Sequence, residues 1–183
     1  MNFATAEELS RALPDVLSAP KTDAPIKMLC FRPGFNKREF ASRLRLSRRD
    51  GIIGDCWNVN PWLRLADGSA DPRMQVSILP TRVLDLLWRD REGTIHPGDP
   101  IIADLDLSGE NLPVGTLVRA GTAILRVSDE PNFGCVKWKA RYGADALKWV
   151  ANPAHAAYRL RGVLCSIEED GELTLDDRLT VLR

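Results

Sequence analysis

Histidine is nearly absent from this chain, and its cysteines form no closely spaced pair. The 183 residues include only His96 and His155, which gives little support to a Ser-His-Asp or Cys-His catalytic apparatus. We interpret both histidines as incidental. The four cysteines are Cys30, Cys56, Cys135 and Cys165. Because no Cys-x-x-Cys pair occurs, the sequence argues against a structural zinc site and a dense disulfide framework, and we expect free thiols in the cytoplasm.

Three further signals are missing from the sequence. Lysine plus arginine equals aspartate plus glutamate at 25 each, so the net charge gives no general attraction to nucleic acid or to an anionic membrane. Neither a G-x-x-x-x-G-K-[ST] loop nor a G-x-G-x-x-G motif occurs, and a bound nucleotide is not indicated. No apolar run approaches the roughly 20 residues of a membrane span. We therefore expect a cytoplasmic protein that binds neither nucleic acid nor membrane.

Glycine and proline punctuate the chain and favour short strands. Residues 91–121 alone contain five glycines and three prolines, which is typical of strands joined by tight turns. Strands are predicted at 26–32, 42–47, 74–79, 115–120, 122–128, 158–167 and 178–182. Helices are predicted near 80–90 and 143–151. This pattern predicts a mainly β fold, an antiparallel barrel or sandwich with a few short helices.

The N-terminal region is predicted to form a separate helix. Residues 5–18 open with Thr5 and Glu8 in capping-box spacing, and Pro14 is expected to interrupt the helix. The prolines of the following APKTDAP stretch indicate a linker. We therefore predict an N-terminal helix and linker over 1–25 and a β-barrel domain over 26–183.

The segment PNFGCVKWKARYG, residues 131–143, carries the main chemical signal. It contains Cys135, followed at every second position by a cation: Lys137, Lys139 and Arg141. If the segment is a strand, its two-residue period puts all four side chains on one face, where the cations would favour the thiolate. The alternative is a small buried cysteine on a strand whose basic positions merely face water.

Other candidate groups are weaker. Cys30 and Cys165 lie in apolar runs and are interpreted as core residues, and Cys56 as structural. The cluster KREFASRLRLSRR, residues 37–49, could bind phosphate through arginines that include Arg43 and Arg45. These two residues alternate with leucines, however, as in a strand with one solvated face. The acidic stretch near residue 170 is interpreted as a solvated hairpin turning at Asp170-Gly171.

Taken in order, several segments resemble the MOSC family, the domain that ends the molybdenum cofactor sulfurases and also occurs alone in bacteria. The match runs from about residue 26 to the C-terminus. Its most specific parts are Gly54-Asp55, Glu110-Asn111-Leu112 with Gly115, Gly134-Cys135, and the Arg161-Gly162 strand with the closing hairpin. The resemblance does not include the pyridoxal-phosphate-dependent desulfurase portion of full sulfurases. A histidine that often precedes the family's Gly-Cys pair is also missing, since this chain has Asn132 and Phe133 there.

The resemblance implies a β-barrel-like fold and a functional cysteine, which is Cys135 in this sequence. In several family members this cysteine carries persulfide sulfur or ligates the molybdenum of a pterin cofactor. Both sulfur species are anionic, and nearby cations would stabilise them. The resemblance thus assigns Cys135 as catalytic residue and metal ligand. The predicted cofactor-binding residues are Lys137, Lys139, Arg141, Arg161, Arg43, Arg45 and Asn111.

Three functions remain open at this stage. The first is a molybdenum-cofactor-dependent oxidoreductase that acts on N-hydroxylated bases or similar small molecules. An electron-donor protein would have to supply it, because no iron–sulfur or flavin motif is present. The second is a sulfur carrier that receives persulfide sulfur on Cys135 from a sulfur-donor protein. The third is a non-catalytic binding module in which the cysteine is incidental.

Overall fold

A computed structural model describes residues 2–183. Its strands are β1 (Ala24–Phe31), β2 (Glu39–Phe40), β3 (Arg43–Ser47), β4 (Gly51–Ile52), β5 (Val76–Pro80), β6 (Ile101–Ala103), β7 (Leu117–Ala120), β8 (Ala123–Val127), β9 (Val163–Glu169), β10 (Gly171–Thr174) and β11 (Arg178–Leu182). Its α-helices are α1 (Ala6–Leu17), α2 (Thr81–Leu87), α3 (Val136–Tyr142) and α4 (Ala144–Val150). Short 3-10 helices cover Pro72–Met74 and Pro153–Tyr158. No helix within residues 2–183 is long and apolar enough to cross a membrane.

Within the described residues, seven strands close into a barrel in the order β1, β11, β7, β8, β9, β5, β6 and back to β1. Neighbouring strands are antiparallel except β5 and β6, which pair in parallel. Strand β2 extends the sheet from β1, and a small second sheet has the order β10, β3, β4. Every strand predicted from the sequence overlaps an observed one. The predicted mainly β, MOSC-like barrel fold with a few short helices is confirmed.

Side-chain alternation along the barrel strands creates two cores. On β5, Ile78 belongs to the cluster inside the barrel, and its neighbour Leu79 belongs to a second cluster outside it. Ile101 and Ile102 on β6 divide in the same way, as the two-residue period of a strand requires. The outer cluster is completed by all four α-helices. The helices therefore cover one side of the barrel, next to β5 and β6.

The N-terminal helix forms where its capping signal predicts. The Thr5 hydroxyl accepts a hydrogen bond from the Glu8 amide at 3.3 Å, and the Glu8 carboxylate accepts one from the Thr5 amide at 2.8 Å. The expected interruption at Pro14 is wrong, because α1 continues to Leu17. Pro14 is exposed, so water can satisfy the carbonyl one turn earlier that lacks its usual donor. The predicted boundary between residues 25 and 26 stays a prediction; β1 begins two residues earlier, at Ala24.

Two predictions for the C-terminal third are wrong. Residues 158–162 are not part of a strand, because Arg159 adopts a left-handed conformation with φ of 49° and β9 begins only at Val163. Gly162 follows with φ of 94°, where a Cβ would collide with the carbonyl oxygen of Ile78. The stretch at Asp170-Gly171 is not a hairpin either. Strand β10 pairs with β3 instead of β9, a long-range choice that a local turn signal does not reveal.

Candidate functional site

Cys135 lies at the start of a helix, not on a strand. It is the N-cap residue of α3, and the Lys139 amide donates a hydrogen bond to its carbonyl at 3.1 Å. The prediction that Cys135 shares one strand face with three cations is therefore wrong. Its sulfur is exposed to solvent, which excludes the alternative of a buried packing residue.

The helix forms because its aromatic residues recur at helical intervals. Trp138 and Tyr142 are 2% and 1% exposed, and their rings meet edge to face with centroids 4.7 Å apart. The apolar pattern continues into α4 with buried Ala146 and Trp149. Spacings of four, four and three residues are typical of a buried helical face, although Gly143, with φ of 93°, separates the two helices. The basic residues at alternate positions conceal this face, since they also fit a strand.

The helical turn separates the three predicted cations of α3. Lys139 is one turn after Cys135 and is the lysine closest to the same face. Lys137 points elsewhere, with its ammonium 4.7 Å from the ring centre of Phe35. Arg141 reaches inward and donates a hydrogen bond to the Pro97 carbonyl at 3.3 Å. Of the three cations, Arg141 alone is therefore shown in contact with the buried site described next.

The loop 96–99 gathers arginines from three separate parts of the chain. Arg38 donates to the His96 and Pro97 carbonyls at 3.2 and 3.1 Å. Arg141 shares the Pro97 carbonyl, and Arg161 forms an ion pair of 2.9 Å with Asp99. Gly98 permits this approach, because its φ is 98° and a Cβ there would lie 2.6 Å from the Nε of Arg38. We call Arg38, Arg141 and Arg161 the arginine cluster.

The arginine cluster carries more positive charge than its surroundings neutralise. Burial and repulsion from Arg141 and Arg32 lower the pKa of Arg38. Arg32 is itself neutralised by Asp55, with two guanidinium contacts of 3.0 and 3.1 Å. Asp99 is the remaining carboxylate at the loop. Arg38 and Arg141 form no ion pair with any described residue, which leaves two unneutralised guanidinium groups beside the loop.

In the folded protein Asp99 is ionised and His96 is neutral. Burial would raise the pKa of Asp99, yet the Arg161 guanidinium holds it below its usual range, so the carboxylate is ionised. Burial and the arginine cluster lower the pKa of His96 to about 4, so the imidazole is neutral. Its Nδ1 accepts a hydrogen bond from the Gly98 amide at 3.1 Å, which leaves the proton on Nε2. Beside it, burial raises the pKa of the Cys30 thiol to about 12, so Cys30 is an inert neighbour.

Two adjoining cavities meet at Arg161. The smaller, about 220 Å³, is lined by polar groups that include Arg32, Asp99 and Arg161 and by the rings of Trp57 and Trp62. The larger, about 390 Å³, is mostly apolar and lies along residues 128–133 and 159–164. Asn132, Arg161 and Leu164 line both. The loop that leads to Cys135 therefore forms the wall between them.

That loop is fixed by two local features. The Asn132 side-chain amide donates a hydrogen bond to the Arg161 carbonyl at 3.2 Å. A Cβ at Gly134 would lie 2.8 Å from Leu147 and 2.9 Å from Val150 on α4, so the glycine allows the loop to pack closely on the helix. The Arg161 guanidinium in turn lies 4.5 Å from the ring centre of Trp138. Arg161 thus joins the loop, α3 and Asp99 in one unit.

Several buried polar atoms around this unit have no hydrogen-bond partner in the protein. They include Asp99 Oδ2, His96 Nε2, Trp138 Nε1 and Tyr142 Oη. Buried polar atoms are normally paired. Asp99 is nevertheless not an isolated charge, because Arg161 donates to its Oδ1 at 2.9 Å and the Ser77 hydroxyl also contributes a hydrogen bond to this carboxylate. Among residues 2–183, no three His, Cys, Asp or Glu side chains form a metal-binding group, so a metal here would depend on a single thiolate and on non-protein ligands.

The remaining predicted site residues lie elsewhere. Arg43 and Arg45 are exposed on β3 and pair with Glu172, at 3.3 and 3.9 Å. Asn111 is buried and donates from its amide to the carbonyls of Lys21 and Asp106, both at 2.8 Å. None of the three lines either of the two cavities, and the same holds for Cys135 and the three cations of α3; of the predicted site residues, Arg161 alone lines them. Their contact with a cofactor stays a prediction.

Sequence reasoning missed most of the buried site. Arg38 was considered only as part of the basic cluster 37–49, and His96 was interpreted as incidental although it is 2% exposed. Asp99 gave one usable signal, because it follows a glycine in HPGDP and precedes a buried strand. The convergence of these residues with Arg161 depends on the barrel closing, and no spacing in the sequence encodes it.

Comparisons with known proteins support the fold. No protein-family model matches the chain, and no curated protein matches it. Among solved structures, the YuaD protein from Bacillus subtilis superposes with a TM-score of 0.62 at 17% identity, covering 86% of this chain and 94% of that one. YiiM from Escherichia coli gives a TM-score of 0.55 at 17% identity, covering 86% and 69%. YiiM from Geobacillus stearothermophilus gives 0.53 at 13% identity, covering 90% and 75%. At these identities the likeness concerns the fold alone.

Proposed function

We propose that the chain is a MOSC-type protein that binds a molybdenum–pterin cofactor through the Cys135 thiolate and supports reduction of N-hydroxylated small molecules. The observation that carries the proposal is the position of Cys135. Its exposed sulfur directly follows the loop that separates the two cavities, and that loop is bonded to Arg161. Cys135 itself lines neither cavity, so the proposal requires a ligand that extends from the cavity wall at Asn132 to the exposed thiol.

The residues present fit such a cofactor in three respects. The exposed Cys135 supplies the soft sulfur donor that molybdenum accepts. The guanidinium groups of Arg38 and Arg141 are not neutralised by carboxylates, and guanidinium forks match phosphate oxygens. The Asp99 carboxylate, which lines the smaller cavity, could accept a hydrogen bond from an N–H group of a pterin edge. Thiolate, anion and N–H donor are thus each matched by a separate group.

Lys139 has a distinct role in this proposal. It is one helical turn after Cys135, and its amide is bonded to the Cys135 carbonyl. Its side chain extends from the turn that follows Cys135, where an ammonium can help to hold an anionic ligand. Arg38 and Arg141, which form no ion pair among the described residues, would hold the anionic part of the cofactor. Lys137, the third cation predicted to share a face with Cys135, has no role in binding the cofactor in this proposal.

The reaction requires electrons that the chain does not supply. Reduction of an N-hydroxylated compound breaks the N–O bond, consumes two electrons and two protons, and yields the amine-type product and water. When bound, the molybdenum supplies the two-electron redox change. The chain's own groups position the cofactor, and the mostly apolar larger cavity offers room for a small substrate. An electron-donor protein completes the balance.

The metal content of the purified protein tests the proposal. Protein isolated from a molybdenum-replete host is expected to carry close to one molybdenum atom per chain by elemental analysis, and Cys135→Ser is expected to lose it. Cys56→Ser is the matched control, because Cys56 is the other thiol that is not fully buried. A protein that remains free of molybdenum after reconstitution contradicts the proposal. If its Cys135 instead carries a one-sulfur mass adduct, the sulfur-carrier function replaces it.

A second variant tests the arginine cluster. Arg141→Gln removes one charge-assisted contact of about 1.5–3 kcal/mol, so the dissociation constant of the cofactor should rise about ten- to a hundredfold. Arg119→Gln, an exposed change on β7, is the control for lost positive charge. Equal affinities in the two variants would remove the arginine cluster from the cofactor site.

A further inference from the structure

Arg159 is a cation in the wall of the larger cavity, and it has no counter-charge among residues 2–183. It is half-buried and forms no ion pair with any of them. The other half-buried arginines without an ion pair there are Arg38 and Arg141, which belong to the arginine cluster. The remaining half-buried arginines each contact a carboxylate, as Arg82 contacts Asp104 at 2.7 Å. Arg159 therefore requires an explanation of its own.

The hydrogen-bond partner of the Arg159 guanidinium is a backbone carbonyl. Its Nη1 donates to the Leu112 carbonyl at 2.5 Å, which uses only part of the donor capacity of a guanidinium. Burial lowers the pKa of Arg159, whereas the hydrogen-bonded Asp104 raises the pKa of Arg82. Removing a charge from water without a counter-charge costs free energy. A ligand that brought a carboxylate to this position would offset that cost.

The backbone at Arg159 adopts a conformation that is uncommon for a residue with a side chain. Its φ of 49° and ψ of 46° lie in the left-handed region. Hydrogen bonds on both sides fix this turn: the Arg159 amide donates to the Ala156 carbonyl at 3.4 Å, and the Gly162 amide donates to the Arg159 carbonyl at 2.7 Å. Strain of this kind persists where the surrounding structure requires it, and it often occurs at binding sites.

The larger cavity has the size and the apolar walls of a small-molecule site. Its volume is about 390 Å³, which lies in the range of ligand pockets. Its apolar wall includes Val150, Val163 and Leu164. Val114 also lines it and lies two residues after Leu112. The carbonyl of Leu112 and the guanidinium bonded to it therefore lie close to the cavity wall.

The other charged groups of the cavity wall have partners. Asp129 and Glu130 line the cavity, but Arg73 contacts both carboxylates, at 3.2 and 3.6 Å. Arg161 has its own ion pair of 2.9 Å. Within the part of the chain that the structure describes, Arg159 is thus the charged lining residue that lacks an ion pair. A neutral ligand would leave its charge unmatched, and an anion would complete it.

We infer that the larger cavity binds a small carboxylic acid with an aromatic or aliphatic body, and that Arg159 holds its carboxylate. The planar donor fork of a guanidinium matches the two oxygens of a carboxylate. The apolar wall accommodates the body of the acid. An acid bound here would occupy the space that the proposed function leaves for a substrate. Its binding requires no metal, however, and does not depend on the cofactor.

Two probes of the same shape, 2-naphthoate and its neutral amide 2-naphthamide, test the inference by calorimetry. The full chain is expected to bind naphthoate at least about tenfold more tightly than naphthamide, because only naphthoate can form a charge-assisted bond with Arg159. Arg159→Gln should abolish this preference. Arg119→Gln, an exposed change on β7 that alters the net charge equally, should retain it.

A second pair of variants tests the place of binding and keeps the test decisive if Arg159→Gln does not fold. Ala156 is exposed and lines the larger cavity, whereas Ala154 is exposed on the same 3-10 helix and does not line it. Ala156→Trp fills part of the cavity and should weaken binding of naphthoate and naphthamide at least about tenfold. Ala154→Trp should leave both affinities unchanged.

Three results overturn the inference. The first is equal affinity for naphthoate and naphthamide, or no binding of naphthoate at millimolar concentration. The second is a preference for naphthoate that survives Arg159→Gln, which would assign the acid to the arginine cluster. The third is an equal effect of the two tryptophan variants.

Failure of this inference can be told apart from failure of the proposed function. If naphthoate binding depends on Arg159 in protein that holds no molybdenum after reconstitution, the acid site stands and the cofactor proposal fails. If the protein holds molybdenum and binds naphthoate and naphthamide equally, the cofactor proposal stands and the acid site fails.

Discussion

Cys165 and Cys30 are buried to almost the same degree, and burial raises the pKa of each thiol to about 12. Their surroundings are nevertheless different. Cys165 belongs to the apolar cluster inside the barrel. Cys30 donates a hydrogen bond to the Asp99 carbonyl at 3.2 Å and adjoins His96. The Cys165 thiol is thus surrounded by apolar side chains inside the barrel. The Cys30 thiol lies next to the polar groups of the loop 96–99.

The unpartnered buried atoms follow the same division. None of the described buried side-chain atoms without a hydrogen-bond partner belongs to the cluster inside the barrel. They occur in the outer cluster, where the helices pack on the barrel, and around the loop 96–99. Because such atoms cost free energy when they stay unpaired, the barrel can be understood as the part that stabilises the fold. The loop and its arginines form a part in which buried polar groups are kept at a cost in stability.

The largest expected effect comes from breaking the ion pair of the loop 96–99. Arg161→Ala leaves the Asp99 carboxylate, which is 2% exposed, without its counter-charge. Loss of one member of a buried pair costs about 3–5 kcal/mol of unfolding free energy, measurable by urea denaturation. Arg126→Ala on the barrel surface removes an exposed pair and should change the stability far less.

A double variant distinguishes the cost of an unpaired Asp99 carboxylate from the cost of the other contacts that Arg161 makes. Combining Arg161→Ala with Asp99→Asn removes both charges and should recover part of the lost stability, because no unpaired carboxylate remains. If the double variant is less stable than Arg161→Ala alone, the destabilisation arises from lost contacts with Trp138 and the loop, and the electrostatic account is wrong.

The second effect is a loss of stability at low pH, and it arises at the loop 96–99 and not inside the barrel. His96 has a folded pKa of about 4, below the 6.5 of an unperturbed imidazole. The unfolded chain therefore binds more protons between these values, and stability must fall as the pH drops through this window. From pH 7 to pH 5 the loss is about 2 kcal/mol by this linkage.

Urea denaturation at the two pH values measures this loss. His96→Gln should remove most of the pH dependence, because an amide does not titrate in this range. His155→Gln, at a half-buried position in the helical cover, should retain it. A dependence that persists in His96→Gln would show that other groups cause it.

The contrast between regions also explains how much the sequence predicts. Barrel strands such as β7 and β8 follow from local alternation and turn residues, and their predicted ranges differ from the observed ones by no more than two residues. The pattern of α3 is ambiguous, because Lys137 and Lys139 fit a strand while Trp138 and Tyr142 fit a helix. Burial of the two aromatic rings decided between them, and burial is a property of the whole fold.

The candidate site shows the same limit more strongly. Cys135 and its exposed position follow from a short segment and from a family resemblance. The arginine cluster depends on residues 38, 141 and 161 meeting a single loop, and only closure of the barrel brings them together. Local sequence and the resemblance therefore named Cys135, Arg141 and Arg161 as candidates, but not Arg38, His96 or Asp99, and not their convergence on one loop.

The smallest expected effect on stability comes from replacing a cysteine with serine, once in the barrel and once at the candidate site. Cys165→Ser places a hydroxyl in the apolar interior of the barrel, where it must be buried, and should destabilise the protein by about 1–3 kcal/mol. Cys135→Ser exchanges an exposed atom and should stay within about 0.5 kcal/mol in urea denaturation. The order should invert for molybdenum content, because only Cys135 is proposed as a ligand. A Cys165→Ser protein that folds but binds no molybdenum would show that the barrel interior and the site are coupled, and the division between them would no longer hold.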